Sequence, residues 1–303
     1  MRQLPDVTSA TAWQTRYLDA MNGPPPFQAD LKVILREQNL AHAARAAKKF
    51  AGAVQPIYGA TDKGDPDHIG SAVLLDVHGT KVMITAAHII DENSAMKPTS
   101  LYVGGGGNLE LIEAEFSITL APGKLRKLDR HDIAFCALPP VLVEKLGATY
   151  IEINDVARYE PYEQGRLYTA FGFPNTMNKI GWKERKAGKI RPEMLQYTNP
   201  YRIDEEVARD LPNNGADHIF IPYGAKWRNE DGFIDNAKSP TGMSGGAVID
   251  CGKASTPETA AGINEPTQRL AGIGIEFLKK RVMIATHMAV IVPELEKAFP
   301  PKA

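Results

Sequence analysis

The sequence predicts an all-β fold of antiparallel barrels or a sandwich, entered through a helical N-terminal extension and closed by a C-terminal helix. Three observations carry this. Short β-like runs recur from about residue 68 onward. No helical period intervenes between most of them, which disfavours a parallel βαβ sheet. Helical spacing is confined to the two ends of the chain.

In the extension, Trp13, Tyr17, Ala20 and Met21 fall at helical spacing after Ser9 and Thr11, either of which could cap a short helix. Gly23-Pro24-Pro25-Pro26 breaks it. Asp30 is the expected N-cap of a second helix, whose Leu31, Ile34, Leu35, Ala41, Ala44 and Phe50 broadly follow the 3.6 period. Basic Arg45, Lys48 and Lys49 sit at its C-terminal end, where the helix dipole favours them. Residues 1–60 therefore read as a helical extension that packs on the body, with docking of a regulatory partner as the alternative.

The body is expected over 61–303. His68 to Val77, a His78-Gly79 turn and Thr80 to Ile84 form a hairpin signature. Further strands are expected at 99–103, 109–116, 132–138, 167–172, 218–222, 246–250, 270–276 and 282–286. The four glycines from Gly104 to Gly107 lack a following Lys-Ser or Lys-Thr, so they read as a hairpin tip and not a phosphate loop. Residues 173–240 read as a long, polar, irregular insertion, first basic (Lys179 to Arg191) and then acidic (Asp204 to Asp210), solvated for the most part. Thr286 to Phe299 resumes helical spacing.

Composition narrows the function. The chain has 303 residues, 43% hydrophobic and 23% charged, which suits one large or two ordinary globular domains. Its 35 Lys and Arg balance 36 Asp and Glu, so no chain-wide nucleic-acid or anionic-membrane surface is expected. No apolar run reaches the roughly 18 residues of a membrane helix. The first residues lead into a polar stretch with no apolar h-region of a signal peptide. Two cysteines make no disulfide framework, and a reducing, cytoplasmic setting is the expectation. Cys136, in an apolar run, reads as a buried small hydrophobe, and neither it nor Cys251 reads as a nucleophile. No His, Cys, Asp or Glu grouping has metal spacing, and no cofactor is expected.

Three stretches carry chemistry: Thr85-Ala86-Ala87-His88 at the end of an apolar strand, His131-Asp132-Ile133-Ala134 opening another, and Thr241-Gly242-Met243-Ser244-Gly245-Gly246. A serine hydroxyl attacks only when an imidazole takes its proton, and the imidazole needs a carboxylate to fix its tautomer. Glycines beside the serine let backbone N–H groups face a developing oxyanion. Each stretch alone is weak; in the order His, Asp, Ser, with β-rich sequence between them, they reinforce one another.

With these motifs, the opening Gly70-Ser71-Ala72, Gly172-Phe173-Pro174 and the Gly272-Ile273-Gly274-Ile275 run, the chain resembles the trypsin-like serine peptidases over about residues 66–299. The resemblance implies two antiparallel six-stranded β-barrels with the active site between them. It implies His88 as general base, Asp132 as its orienting carboxylate, Ser244 as nucleophile and the N–H groups of Gly242 and Ser244 as oxyanion hole. A protein or peptide would be the substrate. It also places Lys238, six residues before Ser244, at the base of the specificity pocket, with Thr241, Ile275, Glu276 and Phe277 around it. A buried Lys238 ammonium would favour an acidic or small side chain over Arg or Lys; the alternative is a Lys238 that snorkels to solvent. Met243 replaces the Asp that secreted members carry before the serine, so activation by a freed N-terminus is not expected. Two rival functions remain: a catalytically silent protease-fold scaffold, and an esterase using Gly242-Met243-Ser244-Gly245-Gly246 as an α/β-hydrolase elbow with His287 as base.

Overall fold

The computed structural model describes residues 28–96, 99–105, 107–119, 129, 131–158, 166–181, 184, 189–211, 215–224, 226–228, 234–253, 267–278 and 282–301. The expected helix around Trp13 to Met21 lies outside them. Helix α1 (Gln28–Phe50) contains Asp30 instead of starting from it. Its buried face is His42, Ala43, Ala46 and Phe50, at helical spacing. Gln196 and Gln268 donate side-chain N–H groups to the carbonyls of Ala43 and His42, each at 2.9 Å, and fasten the helix over the second sheet.

A 3-10 turn (Ala51–Ala53) then delivers the chain to β1 (Val54–Ala60). The helical part of the extension thus ends before residue 60, and the last seven residues assigned to it are a sheet strand. Pro56 and Gly59 disguise that strand as a loop. Pro56 is tolerated because β1 pairs with β4 only at Ile57 and Tyr58, leaving one neighbouring strand beside the proline.

The first sheet continues with β2 (Pro66–Val77), β3 (Thr80–Ala86), β4 (Tyr102–Gly105), β5 (Asn108–Leu111), β6 (Ser117–Ile118), β7 (Ile133–Ala137) and β8 (Ile151–Glu152). The strand order is β5-β4-β1-β2-β3-β7-β6, with β8 parallel to β2. Eight strands, two of them only two residues long, replace the six expected. The β2–β3 hairpin turns on His78 and Gly79, both at positive φ (52° and 85°), the conformation a tight two-residue hairpin requires. Helices α2 (Ala87–Ala95) and α3 (Pro140–Leu146) flank this sheet.

The second sheet has the six strands expected: β9 (Arg166–Gly172), β10 (Leu195–Pro200), β11 (His218–Pro222), β14 (Ala247–Lys253), β15 (Arg269–Leu278) and β16 (Val282–His287), in the order β10-β9-β14-β15-β16-β11. Its two edges meet where Tyr197 and Asn199 of β10 donate to the Pro222 carbonyl at 3.0 and 2.7 Å. A small hairpin, β12 (Lys226–Arg228) with β13 (Ile234–Asn236), stands apart. Helix α4 (Glu205–Asp210) starts on an Asp204 cap, and α5 (Met288–Ala298) closes the chain as expected.

The insertion is more ordered than its composition suggests. Besides β10, α4 and β11 it holds a buried Asn178 that donates to the carbonyls of Pro174 and Glu193 and accepts the Glu193 N–H. Lys179, Lys189 and Arg191 are exposed, as expected of a solvated charged stretch.

His287 ends β16 and caps α5: its Nδ1 accepts the Ala289 N–H at 2.9 Å. Burial lowers its pKa to about 4, with nearby Asp217 opposing. Protonation would also turn the capping acceptor into a donor facing a donor. The unfolded chain therefore binds this proton more tightly, and stability is lost as pH falls from the free-histidine value toward 4, by up to about 3 kcal/mol. Urea unfolding at pH 7.5 and 4.5 is expected to show a smaller drop for His287→Asn, which retains a cap acceptor, than for the wild type.

Candidate active site

Strand β3 is buried to its end, and the chain turns at Ala86 into α2, so His88 emerges in the first helical turn with its side chain 37% exposed. Because Ala86 pairs with Ile133, Asp132 lies directly beside it. The contact is threefold. The Asp132 carbonyl accepts the Ala87 N–H at 2.8 Å, Oδ1 accepts the His88 N–H at 2.9 Å, and Oδ2 lies 2.6 Å from His88 Nδ1. A carboxylate can only accept, so Nδ1 carries the proton and Nε2 is left basic. Asp132 takes φ 50°, left-handed for a non-glycine residue, and these bonds hold it there. From the second sheet, Thr286 donates to the His131 carbonyl at 2.6 Å and Asp217 meets His131 Nε2 at 3.2 Å.

The serine loop is anchored by Ser71 of β2, a residue with no exposed surface. Its N–H donates to the Ser244 carbonyl at 2.8 Å and its hydroxyl to the Gly242 carbonyl at 3.2 Å. The same hydroxyl accepts the Phe173 N–H, and the Ser71 carbonyl accepts the Thr85 hydroxyl. On the other side, Gly245 donates to the Gly274 carbonyl at 2.6 Å and the Ser244 hydroxyl to the Ile275 carbonyl at 3.3 Å. Met243 is buried and packs on Gly172.

Asn175 donates its N–H to the Thr241 carbonyl at 2.8 Å. Across a trans peptide this turns the Gly242 N–H the opposite way. Among the described residues, neither the Gly242 nor the Ser244 N–H donates a hydrogen bond.

Residues around the expected specificity pocket divide. Ile275 is buried, Phe277 partly so, and Thr241 and Glu276 are exposed. Lys238 is exposed as well, as the solvent-snorkelling alternative expects, and its backbone carbonyl accepts the Tyr223 hydroxyl. Aromatic side chains gather there instead. Tyr223 meets Phe277 edge-on at 5.1 Å and Tyr197 at 4.4 Å. Sequence reasoning missed both tyrosines because they meet only where the edges of the second sheet meet.

Ser71, Asn175 and His68 were also missed as site residues. A lone serine and histidine bracketing a glycine in the apolar run that opens β2 were the available signal.

Cys136 and Cys251 are buried free thiols, pushed up to about 12 and about 11 by burial, so neither supplies a thiolate. The described residues contain no group of three metal-ligating side chains. The esterase reading fails on topology: strand β14, not a helix, follows Ser244, and His287 is buried as a helix cap.

No family model matches the chain, and no curated protein matches it. Among solved structures it is similar to an HtrA-type protease AlgW with tripeptide, at 16% identity and a TM-score of 0.48, over 85% of this chain. The chain spans 64% of the length of that protease chain. A likeness of this degree assigns no activity.

Gly245 has φ 83°, and a Cβ there would lie 1.9 Å from the Ser71 carbonyl oxygen. Gly64 has a similar φ of 77° with nothing within 4 Å of its Cβ position. Gly64→Ala should cost only backbone strain, about 1–2 kcal/mol in urea unfolding. Gly245→Ala is expected to cost clearly more, because the backbone of β2 must also move.

Proposed function

We propose that this protein is a serine endopeptidase acting through Ser244, His88 and Asp132. The observation that carries the reading is the Asp132 carboxylate bridging the His88 N–H and Nδ1, which locks the ring in the tautomer a general base needs. The Ser244 hydroxyl leaves the Ile275 carbonyl, gives its proton to His88 Nε2, and its oxygen bonds to the substrate carbonyl carbon. The resulting oxyanion takes hydrogen bonds from the Gly242 and Ser244 N–H groups. Collapse expels the amine, which takes the proton from His88. Water, deprotonated by the same nitrogen, then hydrolyses the acyl-enzyme. Peptide or protein is the substrate class this chemistry serves.

One observation favours a silent scaffold: the Ser244 hydroxyl is engaged with the Ile275 carbonyl. A fluorophosphonate probe separates the two. Labelling of wild type but not of Ser244→Ala is expected, and a folded wild type that never labels would support the scaffold. His88→Ala and Asp132→Ala should each lower kcat at least about a thousandfold, and the double variant should fall little further, because the residues act as one unit.

For specificity, Lys238→Ala is expected to leave the ratio of cleavage after Glu to cleavage after Arg unchanged in matched peptides. A shift toward Arg would restore Lys238 as a pocket residue.

A further inference from the structure

One polar pair, a buried histidine and a half-buried asparagine, takes no part in the acyl-transfer steps. His68, on β2 two residues before Gly70, is only 6% exposed and meets Tyr58 edge-on at 5.2 Å. Its Nδ1 lies 2.7 Å from Asn175 Oδ1, while Nε2 is buried with no hydrogen-bond partner among the described residues. Burial pushes its pKa down, so the ring is neutral. With the Asn175 oxygen as acceptor, Nδ1 carries the proton. The Gly70 backbone also acts on the ring, so the side-chain partner His68 has across the sheets is Asn175, and a buried imidazole stripped of that partner would carry a desolvation cost.

Asn175 touches the serine loop with two different atoms. Its N–H holds the Thr241 carbonyl at 2.8 Å. Its Oδ1 occupies the space beside Gly242, where an ideal Cβ would come within 1.8 Å of it. Asn175 therefore lies across the Thr241–Gly242 peptide, and His68 fixes the side chain from the first sheet. Between Gly242 and Ser244 the loop itself carries only the buried, apolar Met243.

We propose that Asn175, clamped by His68, is the positioning residue of the oxyanion hole, keeping the Thr241 carbonyl turned out and the Gly242 N–H turned in. Rotation of that peptide would replace a donor with an acceptor in the place where negative charge develops. The two residues touch neither the scissile bond nor the triad. They act through the peptide they hold. This inference rests on the serine peptidase reading above.

Asn175→Ala removes Oδ1 and keeps the backbone N–H, His68→Ala removes the clamp, and His68→Gln restores a donor. Each would be measured with the double variant for kcat and KM on a peptide amide, per site titrated with fluorophosphonate, and for inhibition by a peptide aldehyde, whose adduct carries the oxyanion. Each alanine variant is expected to lose about 10- to 100-fold in kcat per titrated site, with KM within about twofold. Aldehyde affinity should fall in step with kcat/KM. The double variant should be no worse than the poorer single, and His68→Gln should recover part of the loss.

A role in packing alone would lower the melting temperature and the titrated fraction and leave kcat per site unchanged, which would overturn the proposal. Additive losses would overturn the clamp. If the alanine variants do not fold, Asn175→Ser and His68→Gln carry the same comparison. An active wild type with insensitive variants overturns this inference alone. A folded wild type that neither labels nor hydrolyses overturns the peptidase reading and this inference with it.

Discussion

Ser71 is the hinge on which the two sheets and the candidate site depend. Its three polar backbone and side-chain groups make four hydrogen bonds: to the Ser244 and Gly242 carbonyls, and from the Phe173 N–H and the Thr85 hydroxyl. Three of these partners belong to the second half of the chain and one to the strand that leads to His88. Ser71 itself has no exposed surface, so each partner it loses exposes the desolvation cost of a buried polar group, about 1–3 kcal/mol. Gly245 has to be glycine because the chain passes so close to Ser71.

A second coupling runs through the Asp132 loop. Asp132 sits in a strained left-handed conformation that its bonds to Ala87 and His88 maintain, and Thr286 and Asp217 hold the preceding residue from the second sheet. His88 and Asp132 thus belong to the first sheet yet are braced by the second, whereas Ser244 belongs to the second and is braced by the first. Such crossed bracing makes the relative placement of the three side chains a property of the interface between the sheets. Helix α1 adds to this: it lies on the second sheet and leads straight into a strand of the first.

Much of the strand map was legible because β-like runs bounded by Gly, Pro, Asn and Asp announce themselves locally. Strands β2, β3, β7, β9, β11, β14, β15 and β16 lie where the pattern placed them, and α5 where helical spacing resumed. The failures share a cause. Strand β1 carries a proline and a glycine, and β10 is a polar edge strand, half solvated; each exists because a neighbour offers it hydrogen bonds. Lys238 was placed in a pocket by counting along the chain. Counting cannot say whether a side chain turns inward, and the structure has Lys238 exposed, the alternative the sequence left open.

By itself the sequence determined the all-β character, the two terminal helical regions and the candidate His88, Asp132 and Ser244, because these are written in local period and in short motifs whose chemistry is specific. Only the tertiary structure decided that Asp132 reaches His88 at 2.6 Å, that Ser71 joins the serine loop to the first sheet, and that His68 and Asn175 meet behind Gly242. These contacts join residues about 40 to 170 positions apart. No local pattern encodes them, since they follow from strand order, register and the close approach of two sheets.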